Sequence, residues 1–249
     1  PGAPAAEPRS GYAAPAGDED LGAASIKFAA QLQAHPDDSD ARCEAFWLCM
    51  RQGLSDDARV HALELVASAP DAPLGYLFLG NLAVIAEDFE TALHAYERGI
   101  KACPDTVELL RGMGECALRL ERFDEALAAF HRVVSVESRE PLSHHDLGRV
   151  REAQRRFADA VRHYDRAIAL DSDFIPSALA LGVIYRTMRQ WDAALDVFER
   201  AVVASPDNPQ AIALLASSVL QHGDVERARL LFIKTNELAP GFPEVVSLL

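Results

Sequence analysis

An all-α fold, built as a solenoid of antiparallel helix pairs, is what this chain of 249 residues predicts. Three observations lead there. Five stretches repeat one another at a step of 34 residues: "DFETALHAYERGIKACP" from Asp88, "RFDEALAAFHRVVSVES" from Arg122, "RFADAVRHYDRAIALDS" from Arg156, "QWDAALDVFERAVVASP" from Gln190 and "DVERARLLFIKTNELAP" from Asp224. A fixed period of this length marks a stacked-repeat architecture and overrides the two-domain expectation from length. From Leu21 onward, segments of about a dozen residues alternate with short breaks carrying Gly, Asp, Ser or Pro, and none alternates with period two. Apolar residues make up 49% of the chain, enough for a continuous core.

Residues 1–18, "PGAPAAEPRSGYAAPAGD", carry Pro, Ala and Gly without an apolar period and read as a flexible leader to the array at 19–249. A half repeat at 21–38 is followed by full repeats at 39–72, 73–106, 107–140, 141–174, 175–208 and 209–242, and a further helix starts over 243–249. Within the repeats, Ala58, Ala92, Ala126, Ala160, Ala194 and Ala228 share one position. Four residues on stand Ala62, Tyr96, Phe130, Tyr164, Phe198 and Phe232. Gly80, Gly114, Gly148 and Gly182 recur in the first helix of their repeats, and Pro70, Pro104, Ser138, Ser172, Pro206 and Pro240 close each repeat. The first full repeat departs most, with Phe46 where the others carry small residues and Ser55 where others carry an aromatic.

These positions and this period resemble the tetratricopeptide repeat family over roughly Leu21 to Leu249. The resemblance implies a right-handed superhelix whose concave groove receives partners. Small residues let paired helices approach, and the aromatic fills the space between one pair and the next. Proline, lacking an N–H, ends the second helix. One pair cannot bury its apolar face alone, so neighbours stack.

Numbering each repeat from 1 and turning 100° per residue along the first helix puts positions 4, 7, 8 and 11 on the core side. Positions 2, 5, 9, 12 and 13 fall opposite, where packing gives no reason for apolar character. In the 73–106 repeat that face is Leu74, Leu77, Asn81, Val84 and Ile85; in the 107–140 repeat it is Glu108, Arg111, Glu115, Leu118 and Arg119. The 141–174 repeat offers Leu142, His145, Arg149, Glu152 and Ala153, and the next Pro176, Leu179, Val183, Arg186 and Thr187. The expected groove therefore has an apolar anchor around Trp47, Leu74, Leu77 and Phe78, beside Asn81. A polar strip of Arg111, Glu115, His145 and Arg149 follows, then Val183 and Arg186. Position 5 is expected to face away from the core, so that Leu77→Glu would abolish partner capture without changing the fold. Self-association through the apolar patch, or its cover by the leader, is the competing reading. Arg111 and Glu115 are spaced to pair with each other on a solvated face.

The family pattern also excludes specific uses. Its co-chaperone members grip a C-terminal carboxylate through lysines, asparagines and an arginine at set positions. Here those positions hold Arg111, Glu115, Asp146, Pro176 and Ala180, and the two acids would repel a carboxylate. Its sugar-transferase members run asparagines along position 6, where this chain has Glu44, Phe78, Gly112, Asp146, Ala180 and Leu214.

Composition narrows the partner and the chemistry. A net charge of −14 without a Lys/Arg cluster argues against nucleic acid. No apolar run is long enough to cross a bilayer. Lysine appears only at 27, 101 and 234, and with the heavy use of alanine this gives a bacterial-like, GC-rich composition. Cys43, Cys49, Cys103 and Cys116 form no C-x-x-C pair and no zinc pattern, which points to reduced thiols in a cytoplasmic protein. Because the chain begins at Pro1, a removed export signal and a periplasmic setting stay open. "GMGECA", from Gly112, is no phosphate loop, and the neighbours His144 and His145 diverge by about 100° on a helix. Acidic pairs such as Asp37–Asp38 and Asp56–Asp57 sit at helix starts, where they favour the dipole. No catalytic residue, cofactor or metal is therefore expected. The reading is a non-catalytic scaffold binding a protein or peptide segment. The alternatives are an accessory, partner-recruiting region of a larger enzyme such as a transferase, or an envelope or secretion assembly factor.

Overall fold

The computed structural model of this chain describes residues 21–241, and the expected leader at 1–18 and further helix at 243–249 lie outside them. Thirteen α-helices and no strand occur among the described residues. They fall into two compact bodies, Pro1–Val136 and Glu137–Leu249, each described by itself below.

The N-terminal body holds α1 (Leu21–Ala34), α2 (Ser39–Arg51), α3 (Ser55–Ser68), α4 (Pro73–Ile85), α5 (Phe89–Ala102), α6 (Val107–Arg119) and α7 (Phe123–Val136). The C-terminal body holds α8 (Pro141–Ala153), α9 (Phe157–Leu170), α10 (Ile175–Thr187), α11 (Trp191–Ala204), α12 (Pro209–Gln221) and α13 (Val225–Leu238). From α2 onward, helices of 13 and 14 residues alternate, so a given repeat position meets the same surroundings each time.

Local chemistry sets the helix ends. Asp38 accepts from the Ala41 N–H at 2.9 Å, Asp88 from Thr91 at 3.1 Å, Asn208 from Ala211 at 3.1 Å and Asp224 from Arg227 at 3.1 Å. Each satisfies an otherwise orphaned donor of the first turn. Pro73, Pro141 and Pro209 begin α4, α8 and α12, where a missing N–H costs nothing. Between the helices of each full repeat, position 15 adopts a positive φ. Gly53 and Gly223 take it at 74° and 87°, whereas Glu87, Glu121, Arg155 and Arg189 take it at 57–59°.

Packing explains the small residues. A Cβ added at Gly80 would run into the Tyr96 ring, and one at Gly112, in the next repeat, would lie 2.6 Å from Tyr96 Cζ. The ring is thus held between two first helices that can only close on it without side chains. Gly148 stands in the same relation to Tyr164, with 2.5 Å to Cε1. The first full repeat exchanges the sizes. Phe46 takes the small-residue position, fully buried Ala62 takes the aromatic one, and Phe46 stacks on Phe78 with centroids 3.9 Å apart. Salt bridges join successive repeats, from Arg122, just before α7, to Glu90 of α5 and from Arg227 of α13 to Glu199 of α11, both at 2.7 Å. Helix α1 has no fully buried residue and is tied to α2 by Gln52, which donates to the Leu21 carbonyl at 3.3 Å and the Ser25 hydroxyl at 3.2 Å.

Candidate functional site: the first-helix face of each body

The expected apolar anchor is displaced from where periodicity put it. Leu77 is only 7% exposed and Phe78 1%, so position 5 does not face solvent in α4. Cys43 and Leu179, at the same position, are also buried. First helices also touch one another, α6 on α4 and α10 on α8, and Cys43 and Phe78 pack with Ala58, Ala62 and Leu65 of α3 in one cluster. Rotation about one isolated helix sees one neighbour and misses the other. Trp47 and Leu74 are half-buried and pack on the Phe46–Phe78 cluster, Trp47 edge-on to Phe78 at 5.6 Å. The apolar side chains that α4 does expose are Val84 and Ile85.

Asn81 is committed to packing as well as surface. Its Oδ1 accepts from the Tyr96 hydroxyl at 2.7 Å, and burial pushes the phenol pKa up, keeping it a donor. Arg111 and Glu115 are half-buried on α6.

In the C-terminal body the face opens into a cleft of about 450 Å³. Its floor is apolar, formed by Leu179, Ala180 and Val183 of α10 with Leu214 of α12, and its rim carries His145, Glu152, Asn208 and Gln210. His145 shares a hydrogen bond with the Ser177 hydroxyl, Nδ1 to Oγ at 3.0 Å, and its ring sits 5.3 Å from Tyr164 and 5.7 Å from Phe174. Burial, aided by the nearby Arg149 charge, lowers its pKa to about 4, so the imidazole is neutral at pH 7. Glu152 accepts from the Tyr164 hydroxyl at 2.7 Å. Arg149 lies 3.7 Å from the buried carboxylate of Asp146. Val183 is 37% exposed at the cleft floor, and half-buried Arg186 follows one turn later on α10.

Thus His145 and Val183 are brought together in one cleft, while Trp47, Leu77 and Phe78 belong to an interior cluster or its flank. Leu179 and Glu152 stand on the expected face, at positions 5 and 12, but were not singled out as binding residues. Gln210, at position 2, and Leu214, at the same position 6 as Phe78, were not singled out either.

Reactive chemistry is held down. Burial pushes the Cys43 thiol up to about 11 and Cys116 to about 12, away from thiolate at neutral pH. Among the described residues no group of three or more His, Cys, Asp or Glu side chains could hold a metal ion, and no helix is long and apolar enough to cross a membrane.

Family models described as tetratricopeptide repeat match residues 77–140, 152–216 and 185–249. No curated protein matches the sequence. Among solved structures, the chain is similar to PilW, described as a widely conserved type IV pilus biogenesis factor, at 17% identity and a TM-score of 0.71, over 84% of this chain and 97% of that one. MamA is similar at 23% identity and a TM-score of 0.56, over 64% of this chain and 94% of that one. YrrB, a TPR protein with an unusual peptide-binding site, is similar at 16% identity and a TM-score of 0.54, over 75% and 96%. At these identities the likeness is one of fold.

Proposed function

On the premise that this chain belongs to the tetratricopeptide repeat family, we propose that it is a non-catalytic scaffold that holds a protein segment against its first-helix face. The observation that carries this reading is the cleft of about 450 Å³ in the C-terminal body. Val183 on its floor and Gln210 on its rim are spared from structural packing, whereas the other side of the same helices is fully buried at Leu181, Ile184, Ile212 and Ala216. An apolar floor with a few polar groups on the rim is the usual make-up of a recognition pocket. It fits one apolar side chain of a partner, with backbone groups meeting Gln210 and Asn208. The peptide-binding site described for YrrB supports such a use of this fold.

The test is a Val183→Asp variant compared with wild type. Both are used to capture partners from a lysate of the source cell, and the retained partner is then purified and titrated. The variant should lose the partner by at least about tenfold, the effect of roughly 1.4 kcal/mol, while its circular dichroism and melting stay as in wild type. A partner bound equally by both would remove the cleft from the reading. Elution as a dimer that Val183→Asp converts to a monomer would assign the cleft to self-association instead.

A further inference from the structure

The C-terminal body carries a second feature that the cleft does not use. At position 15 the backbone must turn left-handed, a conformation that costs residues with a Cβ and suits glycine. The repeats beginning at 39 and 209 meet the demand with Gly53 and Gly223, but the 141–174 and 175–208 repeats place arginines there, Arg155 at φ 58° and Arg189 at φ 59°. Both side chains are exposed. Neither makes an ion pair or side-chain hydrogen bond among the described residues, although acidic side chains are close by in sequence. The acids nearest Arg155 are engaged elsewhere, Glu152 with the Tyr164 hydroxyl and Asp159 with Arg156 and Arg162. Local composition points the same way. Residues 149–166 hold six arginines against three acids, in a chain of net charge −14.

Glu87 and Glu121 accept the same turn, so the backbone does not single out the arginines; what does is an exposed guanidinium with no internal partner for its charge. We propose that Arg155 and Arg189, on consecutive turns along one edge of the C-terminal body, form a docking edge for an acidic protein segment. This surface is separate from the cleft and does not depend on the cleft's reading. Consecutive first helices lie roughly 10 Å apart, so the two guanidinium groups engage carboxylates a few residues apart on an extended segment. Arginine suits the task because its planar fork takes a carboxylate in two parallel hydrogen bonds. The equivalent positions in the N-terminal body are Gly53, Glu87 and Glu121, and the two glutamates would reject the same segment.

The test uses the full chain and a fluorescein-labelled peptide of ten glutamates, followed by fluorescence anisotropy at 50 and 500 mM NaCl. Wild type should bind at low salt and lose the peptide at high salt. The double variant Arg155→Gly/Arg189→Gly should bind at least about fivefold more weakly, yet melt roughly 2–4 °C higher because the turns are relieved. Arg155→Lys/Arg189→Lys keeps the charge and should retain most of the binding. Glu87→Gly/Glu121→Gly relieves the same turns and should leave binding undiminished. Three results would overturn the proposal: no binding by wild type at 50 mM NaCl, equal binding by the Arg-to-Gly pair, or equal loss in both glycine pairs. A single-stranded DNA decamer held more tightly than the peptide would also overturn it, by making the edge a nucleic-acid surface.

Discussion

Leu77→Glu separates a solvent-facing position 5 from the buried one seen in α4, where Leu77 is 7% exposed. Glutamate keeps two of leucine's side-chain carbons and replaces two methyl groups, forfeiting about 1.6 kcal/mol of apolar burial. The new carboxyl, lacking a built-in partner, adds about 1–3 kcal/mol even when protonated. At pH 7.5 the group must also either stay charged in the interior or take up a proton. Proton uptake from an ordinary carboxyl pKa near 4.3 sets a ceiling of about 4.4 kcal/mol on this extra cost. A loss of at least about 3 kcal/mol is therefore expected at pH 7.5. The sign of the pH effect follows from linkage. A buried carboxyl has its folded pKa raised above the unfolded one, so its folded form is favoured at low pH and penalised as pH rises. The gap between variant and wild type should shrink by at least about 1 kcal/mol on going from pH 7.5 to 4.5. Urea titrations followed by circular dichroism at both pH values measure this, with Leu77→Met as the volume-conserving control at under about 1.5 kcal/mol. A loss below about 1 kcal/mol at pH 7.5, or the same loss at both pH values, would refute the burial argument and restore Leu77 to the surface.

Other perturbations test other parts of the structure. Ala126 is fully buried at the contact between paired helices, so Ala126→Leu should cost about 1–3 kcal/mol by overpacking, read as a lowered urea midpoint. His145, neutral when folded with a pKa near 4 against an ordinary 6.5, makes folded stability fall as pH drops from 6.5 towards 4. Titration of its ring protons by NMR should show the midpoint directly, and His145→Gln should flatten that part of the pH profile. Asp224 caps α13 by accepting from the Arg227 N–H at 3.1 Å, so Asp224→Ala should cost about 0.5–2 kcal/mol. Hydrogen exchange at the start of that helix would report the loss.

The architecture was legible because the repeat writes one packing solution several times. Gly80, Gly148 and Gly182, each opposite a buried Tyr96, Tyr164 or Phe198, recur at fixed spacing, and a period of residue types needs no coordinates to be seen. Even the departure at Phe46 had its compensation in view at Ala62, since one large and one small side chain simply trade places. The helix caps at Asp38, Asp88 and Asp224 are likewise local, and local chemistry is contained in neighbouring residues.

The binding face was only half legible, for a physical reason. Periodicity describes one helix as a cylinder with a buried side and a free side, but a first helix here touches its partner and also the next first helix. In the stacked array Leu77 and Phe78 are buried, Phe78 on Phe46 of the preceding first helix, while Val183 stays open, although all three had looked alike as groove residues. The contact between α8 and α10 also seats His145 on Ser177, joining residues 32 apart. The left-handed turn at Arg155 and Arg189 was hidden too, because arginine gives no local sign of positive φ. What the amino-acid sequence decided by itself was the set of helices and the pairs they form. What only the tertiary structure decided was which side chains remain outside once the pairs are stacked, since exposure belongs to an assembly of helices and not to any one of them.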